Sequence, residues 1–147
     1  KRFGIVISEY HADITNKLAE GARETLLAYG VEENDIFISY VPGAFEMPLG
    51  ARLLYDQHRL DCVIAIGCVI RGETDHDKYI NQAVATGIMQ LNLATGKPFS
   101  FGLLTPNTLE QAQDRAGGKH GNKGKECAIA ALKMVGFYQK PKGKVGF

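Results

Sequence analysis

Cys62-Val-Ile-Ala-Ile-Gly-Cys-Val-Ile70 is the most informative stretch of the chain. Because it contains no charged side chain, residues 62–70 are predicted to form a strand buried on both faces, as central strands of parallel sheets are. Arg71-Gly-Glu-Thr-Asp-His76 follows directly and leads into a long helix predicted over 75–94. A buried strand that runs into a helix is the repeating unit of α/β proteins.

The same alternation of apolar strand-length runs and helical periods extends along the chain. Further strands are predicted at 3–7, 36–41 and 99–104, and further helices at 13–29, 45–58, 108–114 and 122–137. Because parallel crossovers are right-handed, this order predicts an α/β protein, a three-layer αβα sandwich with a four-stranded parallel sheet of the flavodoxin-like kind. Residues 1–147 are expected to form one domain, with 138–147 as a solvated tail.

Composition and charge argue against several classes of function. The chain has 17 basic and 16 acidic residues, and the resulting net charge of +1 disfavours charge-driven binding to nucleic acid or a membrane. Residues 1–10 have the pattern of a strand rather than of a signal peptide, and no apolar run is long enough to span a bilayer. Cys62, Cys68 and Cys127 have neither zinc-site nor disulfide-framework spacing, so a cytoplasmic protein is expected.

Four loops are expected to hold the functional residues, since ligands of such sheets bind beyond the carboxyl ends of the strands. These loops are 8–13, 42–46, 68–76 and 105–108. The first contains no glycine, so it cannot be a GxGxxG pyrophosphate turn. The glycine- and lysine-rich segment 117–124 lacks the P-loop pattern, and no GxSxG or HExxH motif occurs.

Segment 71–76 combines a predicted helix start with residues suited to an anion. Free N–H groups and the helix dipole attract anions, Gly72 allows close approach, and Thr74 adds a hydroxyl. Alternatively, Thr74 or Asp75 only caps the helix. His76 lies in the first turn, where the dipole disfavours imidazolium, and a neutral imidazole suits proton transfer. A histidine in a loop is, however, more often structural or solvated.

The loop after the second strand and the end of the first strand supply further candidates. Gly43 and Ala44 give a backbone that a flat ring can approach. Glu46 either accepts hydrogen bonds from a polyol or caps the following helix, and Phe45 would be a core residue in most proteins. Tyr10 can stack on a ring or can simply cover the core.

A basic, glycine-rich segment precedes the last predicted helix. Arg115 can hold a phosphate through two parallel hydrogen bonds of its guanidinium group. For Lys119 and Lys125 a solvated surface role is favoured, and the segment also contains His120 and Lys123. The residues alone therefore indicate an α/β protein that binds a small phosphate-bearing ligand.

The long predicted helix has no charged residue over 79–96, which is unusual for a surface helix of a lone α/β domain. One face is formed by Ile80, Ala83, Val84, Ile88 and Leu91, and a second by Ala85, Met89 and Leu93. The helix is either exposed but uncharged, or buried both against its own sheet and against another subunit. We favour the second interpretation and expect a symmetric homo-oligomer.

Five motifs occur in a specific order and spacing. They are Val41-Pro-Gly-Ala-Phe-Glu46, Gly67-Cys-Val-Ile-Arg-Gly-Glu-Thr-Asp-His76, Phe101-Gly-Leu-Leu-Thr105, Glu110-Gln-Ala-x-x-Arg-Ala-Gly117 and Gly121-Asn-Lys-Gly124. Each is weak alone, but together they resemble the lumazine synthase family over nearly all of residues 3–137.

The resemblance implies an enzyme that condenses 5-amino-6-(D-ribitylamino)uracil with 3,4-dihydroxy-2-butanone 4-phosphate. The products are 6,7-dimethyl-8-ribityllumazine, phosphate and water, in riboflavin biosynthesis. In the family the amine forms an imine with the ketone, phosphate leaves by elimination, and the ring closes with loss of water. No cofactor or metal takes part in the family's reaction. The reaction requires that the two substrates are held together, that a residue transfers protons and that the phosphate group is bound.

The resemblance also implies roles for the residues that match the motifs. His76 would transfer protons, and Glu73 and Thr74 would bind phosphate through backbone N–H groups, helped by Arg115. Tyr10 would stack on the ring, and Cys68, Val69 and Ile70 would line the pyrimidine site. The ribityl chain would be held by Gly43, Ala44 and Glu46, with His11 and Phe45 beside them. Phe101 and Lys123 would complete the pocket. Phe101 and Arg115 would arrive from the neighbouring subunit, which makes oligomerisation a condition of activity.

Two features depart from the family's pattern. His11 stands where many members have Asn, and the chain begins close to the strand at Phe3, whereas members usually carry an earlier strand that joins a neighbour's sheet. The family forms pentamers and, in many cases, icosahedral shells of twelve pentamers (sixty subunits). The short segment 117–124 is similar to that of shell-forming members, and association with riboflavin synthase is a further expectation.

Two other functions remain as alternatives. A riboflavin synthase of the related archaeal type would act on lumazine alone, but the segment from Gly72 to His76 favours the lumazine synthase reaction. A flavin-binding protein or an inactive shell protein would bind without turnover, and the presence of both His76 and Arg115 argues against it.

Overall fold

The structure, a computed structural model, describes residues 1–72 and 75–138. Its main sheet contains four parallel strands, β1 (Phe3–Ser8), β2 (Ile36–Val41), β3 (Cys62–Cys68) and β4 (Phe99–Leu104), in the order β2-β1-β3-β4. The helices of the described residues are α1 (Ala12–Ala28), α2 (Met47–His58), α3 (His76–Thr95), α4 (Leu109–Asp114) and α5 (Lys123–Tyr138). Short 3-10 turns cover Glu33–Asp35 and Ala44–Glu46, and a small antiparallel hairpin joins β5 (Ala116–Gly118) to β6 (Gly121–Asn122).

Side chains of the two central strands alternate between two apolar layers, as the twofold period of a strand requires. On one face Ile5 and Ile64 pack with α1 and α5, and on the other Val6 and Ala65 pack with α2 and α3. Every residue of β1 and β3 is buried, because both strands lie inside the sheet with helices on either side. The predicted three-layer αβα sandwich with a four-stranded parallel sheet is confirmed.

The strand order creates a crevice between β1 and β3. From β1 the chain crosses through α1 to β2, whereas from β3 it crosses through α3 to β4 in the opposite direction. Strands whose connections diverge in this way leave a gap at their carboxyl ends, and ligands of doubly wound sheets bind there. The fold therefore favours a site at the ends of β1 and β3.

Most predicted ends lie within one residue of those in the structure, and two differences bear on earlier predictions. The strand predicted over 62–70 ends at Cys68, because its partner strand β4 ends opposite it at Leu104. Tyr138, predicted as the first residue of a tail, is instead the last residue of α5. The rest of the predicted tail, 139–147, lies outside the described residues.

Helix starts and faces also differ in detail. The helix predicted over 45–58 starts at Met47 after a 3-10 turn, and Pro48 fits near its start because proline has no N–H to donate. The helix predicted over 13–29 ends at Ala28, and Tyr29, predicted as its last residue, follows α1 and is exposed. Ala83, predicted on the buried face of α3, is exposed as well, since the buried stripe of this helix runs beside it.

Helix α5 docks closely against α1 through Asn122 and Gly124. The Asn122 side chain donates from Nδ2 to the carbonyl oxygen of Lys17 at 3.0 Å. Its Oδ1 accepts from the backbone N–H groups of Gly124 and Lys125 at 2.8 and 3.2 Å. A Cβ atom at position 124 would overlap the carbonyl oxygen of Leu18. Only glycine fits here, because the obstructing atom belongs to the backbone.

Replacing Gly124 with alanine is expected to destabilise the fold, because α5 must move away from α1 to admit a methyl group. Overpacking that forces backbone shifts lowers the free energy of unfolding by about 3 kcal/mol. Gly136→Ala is the matched control in the same helix, where open space surrounds the glycine. Since alanine favours helices, the control should be unchanged or slightly more stable. Urea denaturation followed by circular dichroism compares them, and equal stabilities would contradict the close α1–α5 contact.

Candidate active site

A cavity of about 620 Å³ opens at the carboxyl ends of β1 and β3. We call it the His76 cavity. Its walls are formed by Tyr10, His11, Gly43, Ala44, Phe45, Glu46, Cys68, Val69, Ile70, Gly72, His76, Asp77, Tyr79 and Ile80. Three of the four predicted loops therefore meet at one cavity, whose size is typical of small-molecule sites.

His11 has a left-handed backbone conformation, with φ 58° and ψ 50°. Its carbonyl oxygen accepts hydrogen bonds from the N–H groups of Ile14 and Thr15, at 2.9 and 3.0 Å, and so caps the start of α1. The imidazole takes no part in capping; it lines the cavity and meets the Tyr10 ring edge-to-face, with centroids 4.7 Å apart. Histidine is among the residues that tolerate this backbone conformation best, which accounts for its presence at this position.

All three residues of the 3-10 turn Ala44–Glu46 line the cavity. Glu46 occupies the N-cap position of α2, yet its carboxylate makes no capping hydrogen bond. A Cβ atom on Gly43 would lie 3.4 Å from Glu46 Oε1, so the carboxylate lies over the Gly43 backbone, where it can accept hydrogen bonds from a ligand. Phe45 is 63% exposed, so the expectation of a core residue is wrong for it.

The end of β3 forms an apolar wall of the cavity. Cys68 is buried, and burial raises the pKa of its thiol to about 11. The thiol is therefore protonated near neutral pH and is not a thiolate nucleophile. Val69 and Ile70 are partly buried and complete the wall. Burial also raises the pKa values of Cys62 and Cys127, which lie in the core.

Helix α3 begins at the rim of the cavity with His76, which is exposed. Asp75 is the N-cap residue and makes no side-chain capping hydrogen bond, so capping does not explain its presence. Glu73 and Thr74, predicted to bind phosphate, lie outside the described residues.

Three residues of the wall were not predicted, namely Asp77, Tyr79 and Ile80. Residues three and four apart lie on one face of a helix, so the spacing from His76 to Tyr79 and Ile80 was a usable signal. Asp77 adds a half-buried carboxylate next to His76 in the chain.

A second cavity, of about 440 Å³, lies beyond the end of β4; we call it the Arg115 cavity. Its walls are formed by Leu103, Leu104, Thr105, Pro106, Asn107, Gln111, Asp114, Arg115, His120 and Lys123. The β5–β6 hairpin brings the basic residues together, because Arg115 directly precedes β5 and Lys123 directly follows β6. The Lys123 N–H donates to the Arg115 carbonyl oxygen at 2.8 Å.

The hairpin sorts the basic residues of its segment into two groups. Arg115, His120 and Lys123 line the cavity, whereas Lys119 and Lys125 are exposed and lie outside it, in keeping with the predicted surface role. Within residues 1–72 and 75–138, no ion pair involves any of the three residues that line the cavity.

Phe101 belongs to neither cavity of its own chain. It lies in the middle of β4, the edge strand of the sheet, and is 40% exposed. No residue in the described part of the chain lines both cavities, so His76 and Arg115 stand in separate places within one subunit.

The family model of 6,7-dimethyl-8-ribityllumazine synthase matches residues 1–139. The chain belongs to this family. A 6,7-dimethyl-8-ribityllumazine synthase of Bacteroides fragilis is 49% identical over 136 residues, which are 92% of this chain and 95% of the relative. Those of Porphyromonas gingivalis and Cytophaga hutchinsonii are 51% and 53% identical over 92% and 90% of this chain and 84% of each relative. The resemblance found in the sequence is confirmed.

In this lumazine synthase family member, residues suited to a ring and to proton transfer line one cavity, and residues suited to phosphate line the other. Across the described ranges, no group of three or more His, Cys, Asp or Glu side chains is placed to hold a metal ion. No helix in that part of the chain is long and apolar enough to cross a membrane.

Proposed function

We propose that the chain carries out its family's reaction at a site shared by two neighbouring subunits. As a member of the lumazine synthase family, it is a transferase of riboflavin biosynthesis that forms 6,7-dimethyl-8-ribityllumazine from 5-amino-6-(D-ribitylamino)uracil and 3,4-dihydroxy-2-butanone 4-phosphate. One observation supports the shared site, namely the division of the suited residues between two cavities of one chain. Because catalysis by proximity needs both substrates in one place, the residues of both cavities must contact the same pair of substrates.

The pyrimidine substrate fits the His76 cavity by its chemistry. Tyr10 is 68% exposed and offers a ring face for stacking, while Val69 and Ile70 offer an apolar wall. Glu46 would accept hydrogen bonds from the ribityl hydroxyls, because its carboxylate is not used in capping. We therefore place the ribityl chain over Gly43 and the ring beside Tyr10.

Proton transfer is assigned to His76 at the rim of that cavity. The amine of the pyrimidine adds to the ketone, and loss of water gives an imine. His76 would then take the proton from the carbon next to the imine as phosphate leaves. The enol that remains gains a proton at its terminal carbon and becomes a methyl ketone. The ribitylamino nitrogen then adds to the ketone carbon, and His76 would protonate the hydroxyl of this adduct, which departs as water, in the manner of a general acid–base.

The phosphate group is assigned to the Arg115 cavity of the adjacent subunit. Arg115 supplies a planar fork of N–H donors and Lys123 a second positive charge. Phe101 of that subunit, exposed on the edge strand, would cover the ring from the other side. Glu73 and Thr74 would complete the phosphate site from the subunit that carries His76.

An apolar face on α2 and α3 supports the assembly. Leu49 and Leu53 on α2 and Met89 and Leu93 on α3 are 57–79% exposed, and the two helices contact each other in the same layer. An exposed apolar face of this extent normally marks a contact with another protein surface. Symmetric contacts between copies of one chain are the common solution, so a second copy is assigned to this face.

A pentamer is the proposed assembly, with the icosahedral shell of twelve pentamers as its larger form and riboflavin synthase as an associated enzyme. The reaction is placed in the cytoplasm, where the buried free thiols of Cys62, Cys68 and Cys127 stay reduced.

Turnover with both substrates tests the proposed reaction. Purified protein should form fluorescent lumazine faster than the uncatalysed background, and the rate should saturate with either substrate. Consumption of lumazine supplied alone would instead indicate a riboflavin synthase reaction. Background-level formation by an assembled protein that carries bound flavin would contradict the proposal and favour a flavin-binding role.

Replacing Arg115 with alanine is expected to raise KM for the phosphate-bearing substrate about tenfold or more, because hydrogen bonds to charged groups each contribute about 1.5–3 kcal/mol. The KM for the pyrimidine should change little, and inorganic phosphate should inhibit the variant more weakly. Lys119→Ala, which removes a charge from the same hairpin outside the cavity, should leave these constants unchanged. Steady-state kinetics that found no difference between the variants would show that the basic hairpin is only solvated.

A further inference from the structure

We propose that His120 is a third anion-binding group of the Arg115 cavity and that its imidazolium form holds the phosphate-bearing substrate together with Arg115 and Lys123. The inference rests on the proposed function for the identity of the anion, a phosphate monoester. It adds a residue to which the family's motifs assign no role.

The backbone of the β5–β6 hairpin places His120 at the cavity. His120 is in the turn between Gly118 and Gly121, which pair across the two strands. Its N–H donates to the carbonyl oxygen of Asp114 at 2.7 Å, so the turn folds back onto the end of α4. The imidazole lines the cavity as a result, whereas the neighbouring Lys119 does not.

Glycines fix the shape of this hairpin. Gly117 and Gly121 have φ values of 97° and 81°, a backbone region that other residues rarely adopt. A Cβ atom on Gly118 would lie 2.7 Å from the carbonyl oxygen of Gln113, so the hairpin packs tightly on α4. The position of His120 is therefore set by the fold rather than by a loosely held loop.

The charged groups that face His120 in the cavity are Asp114 from α4, Arg115 before β5 and Lys123 at the start of α5. The end of β4 and the loop after it contribute uncharged residues. In the described part of the chain no ion pair neutralises the two permanent cations. An anion in the cavity would gain a charge-assisted hydrogen bond from a protonated His120.

The chemistry of an imidazole side chain distinguishes His120 from Arg115 and Lys123. Imidazole ordinarily changes charge between about pH 5 and 8, whereas guanidinium and ammonium groups stay charged there. A bound anion favours the charged imidazole, so anion affinity should be higher at the acidic end of this range and fall as the pH rises. A neutral side chain in place of His120 should remove this dependence.

Sulfate is the probe, because it remains a dianion in this range while phosphate itself changes charge. Calorimetry would compare the assembled wild-type protein, His120→Gln and the control Lys119→Gln at about pH 6 and pH 8. We expect the wild type to bind sulfate about five- to tenfold more tightly at the lower pH. His120→Gln should bind sulfate with the same affinity at both pH values, as weakly as the wild type does at the higher pH. Lys119→Gln should keep the difference in sulfate affinity between the two pH values that the wild type shows.

An unchanged pH difference in His120→Gln, or no sulfate binding by the wild type, would overturn the inference. His120→Asn replaces the glutamine variant if that one does not assemble. Sulfate binding needs no turnover, so a wild type that binds sulfate as expected but forms no lumazine contradicts the proposed reaction and not the anion site. In an active enzyme, His120→Gln should raise KM for the phosphate-bearing substrate about fivefold at the lower pH, without changing kcat.

Discussion

Replacing His76 with alanine is expected to lower kcat about a hundredfold while the assembly stays intact. Positioned acid–base groups contribute about 10²–10⁴-fold, and the low end is expected because bringing the two substrates together supplies much of the rate. The His76 side chain is exposed and belongs to neither apolar layer, so its loss should not affect folding. The KM values should change less than kcat, since ring and phosphate are held by other residues.

His58→Ala is the control for this experiment. His58 stacks on Phe37 with ring centroids 4.2 Å apart, at the last residue of α2 and outside both cavities. Its replacement should leave kcat unchanged. Light scattering checks that both variants assemble, and initial rates of lumazine formation measure kcat. A His76→Ala protein that assembles and keeps the wild-type kcat would remove His76 from the mechanism.

Replacing Met89 with glutamate is expected to break the assembly and reduce turnover to the uncatalysed rate. Met89 is 57% exposed on the uncharged face of α3, and a carboxylate there would be buried without a partner in a subunit contact. Burying an unpaired carboxylate costs several kcal/mol of association free energy, which is more than the packing of one side chain contributes. Separated subunits would each keep two incomplete halves of the site, so activity should be lost although Met89 lines neither cavity.

Met134→Glu provides the comparison, because Met134 is also a half-exposed methionine on a helix, in α5 on the other side of the sheet. It should keep both its assembly and its activity. Light scattering and turnover are measured on the same samples. An intact, active assembly of Met89→Glu would contradict the assignment of this face of α3 to a subunit contact.

The fold could be predicted because its signals are local. The apolar run 62–70 favours a strand covered on both sides, and the order of strands and helices then limits the topology to a few arrangements. The uncharged stretch 79–96 likewise anticipated the exposed face of Met89 and Leu93. Such patterns extend over many residues, so they can be recognised in the sequence without knowledge of tertiary contacts.

The hairpin was beyond the reach of residue patterns, and the division of the site was predicted only through the resemblance to the family. Strands β5 and β6 contain three and two residues, too few for an apolar alternation, and are rich in glycine. Phe45 is apolar and is expected in a core by residue type alone; its place at a cavity was predicted only through the resemblance, and the structure shows that its turn carries it there. Which loops share a cavity depends on strand order and loop length together, so residue patterns alone did not separate the two cavities.

Co-assembly of two impaired variants tests the shared site most directly, with the phosphate-bearing substrate held well below its wild-type KM so that both parent variants turn over slowly. His76→Ala and Arg115→Ala subunits carrying different tags would be produced in one cell, and mixed assemblies would be purified through both tags. If each site combines His76 of one subunit with Arg115 of its neighbour, about one quarter of the sites in an equal random mixture carry both native residues. Turnover should then recover to about a quarter of the wild-type rate. Turnover no higher than the mean of the two parent variants would contradict the shared site.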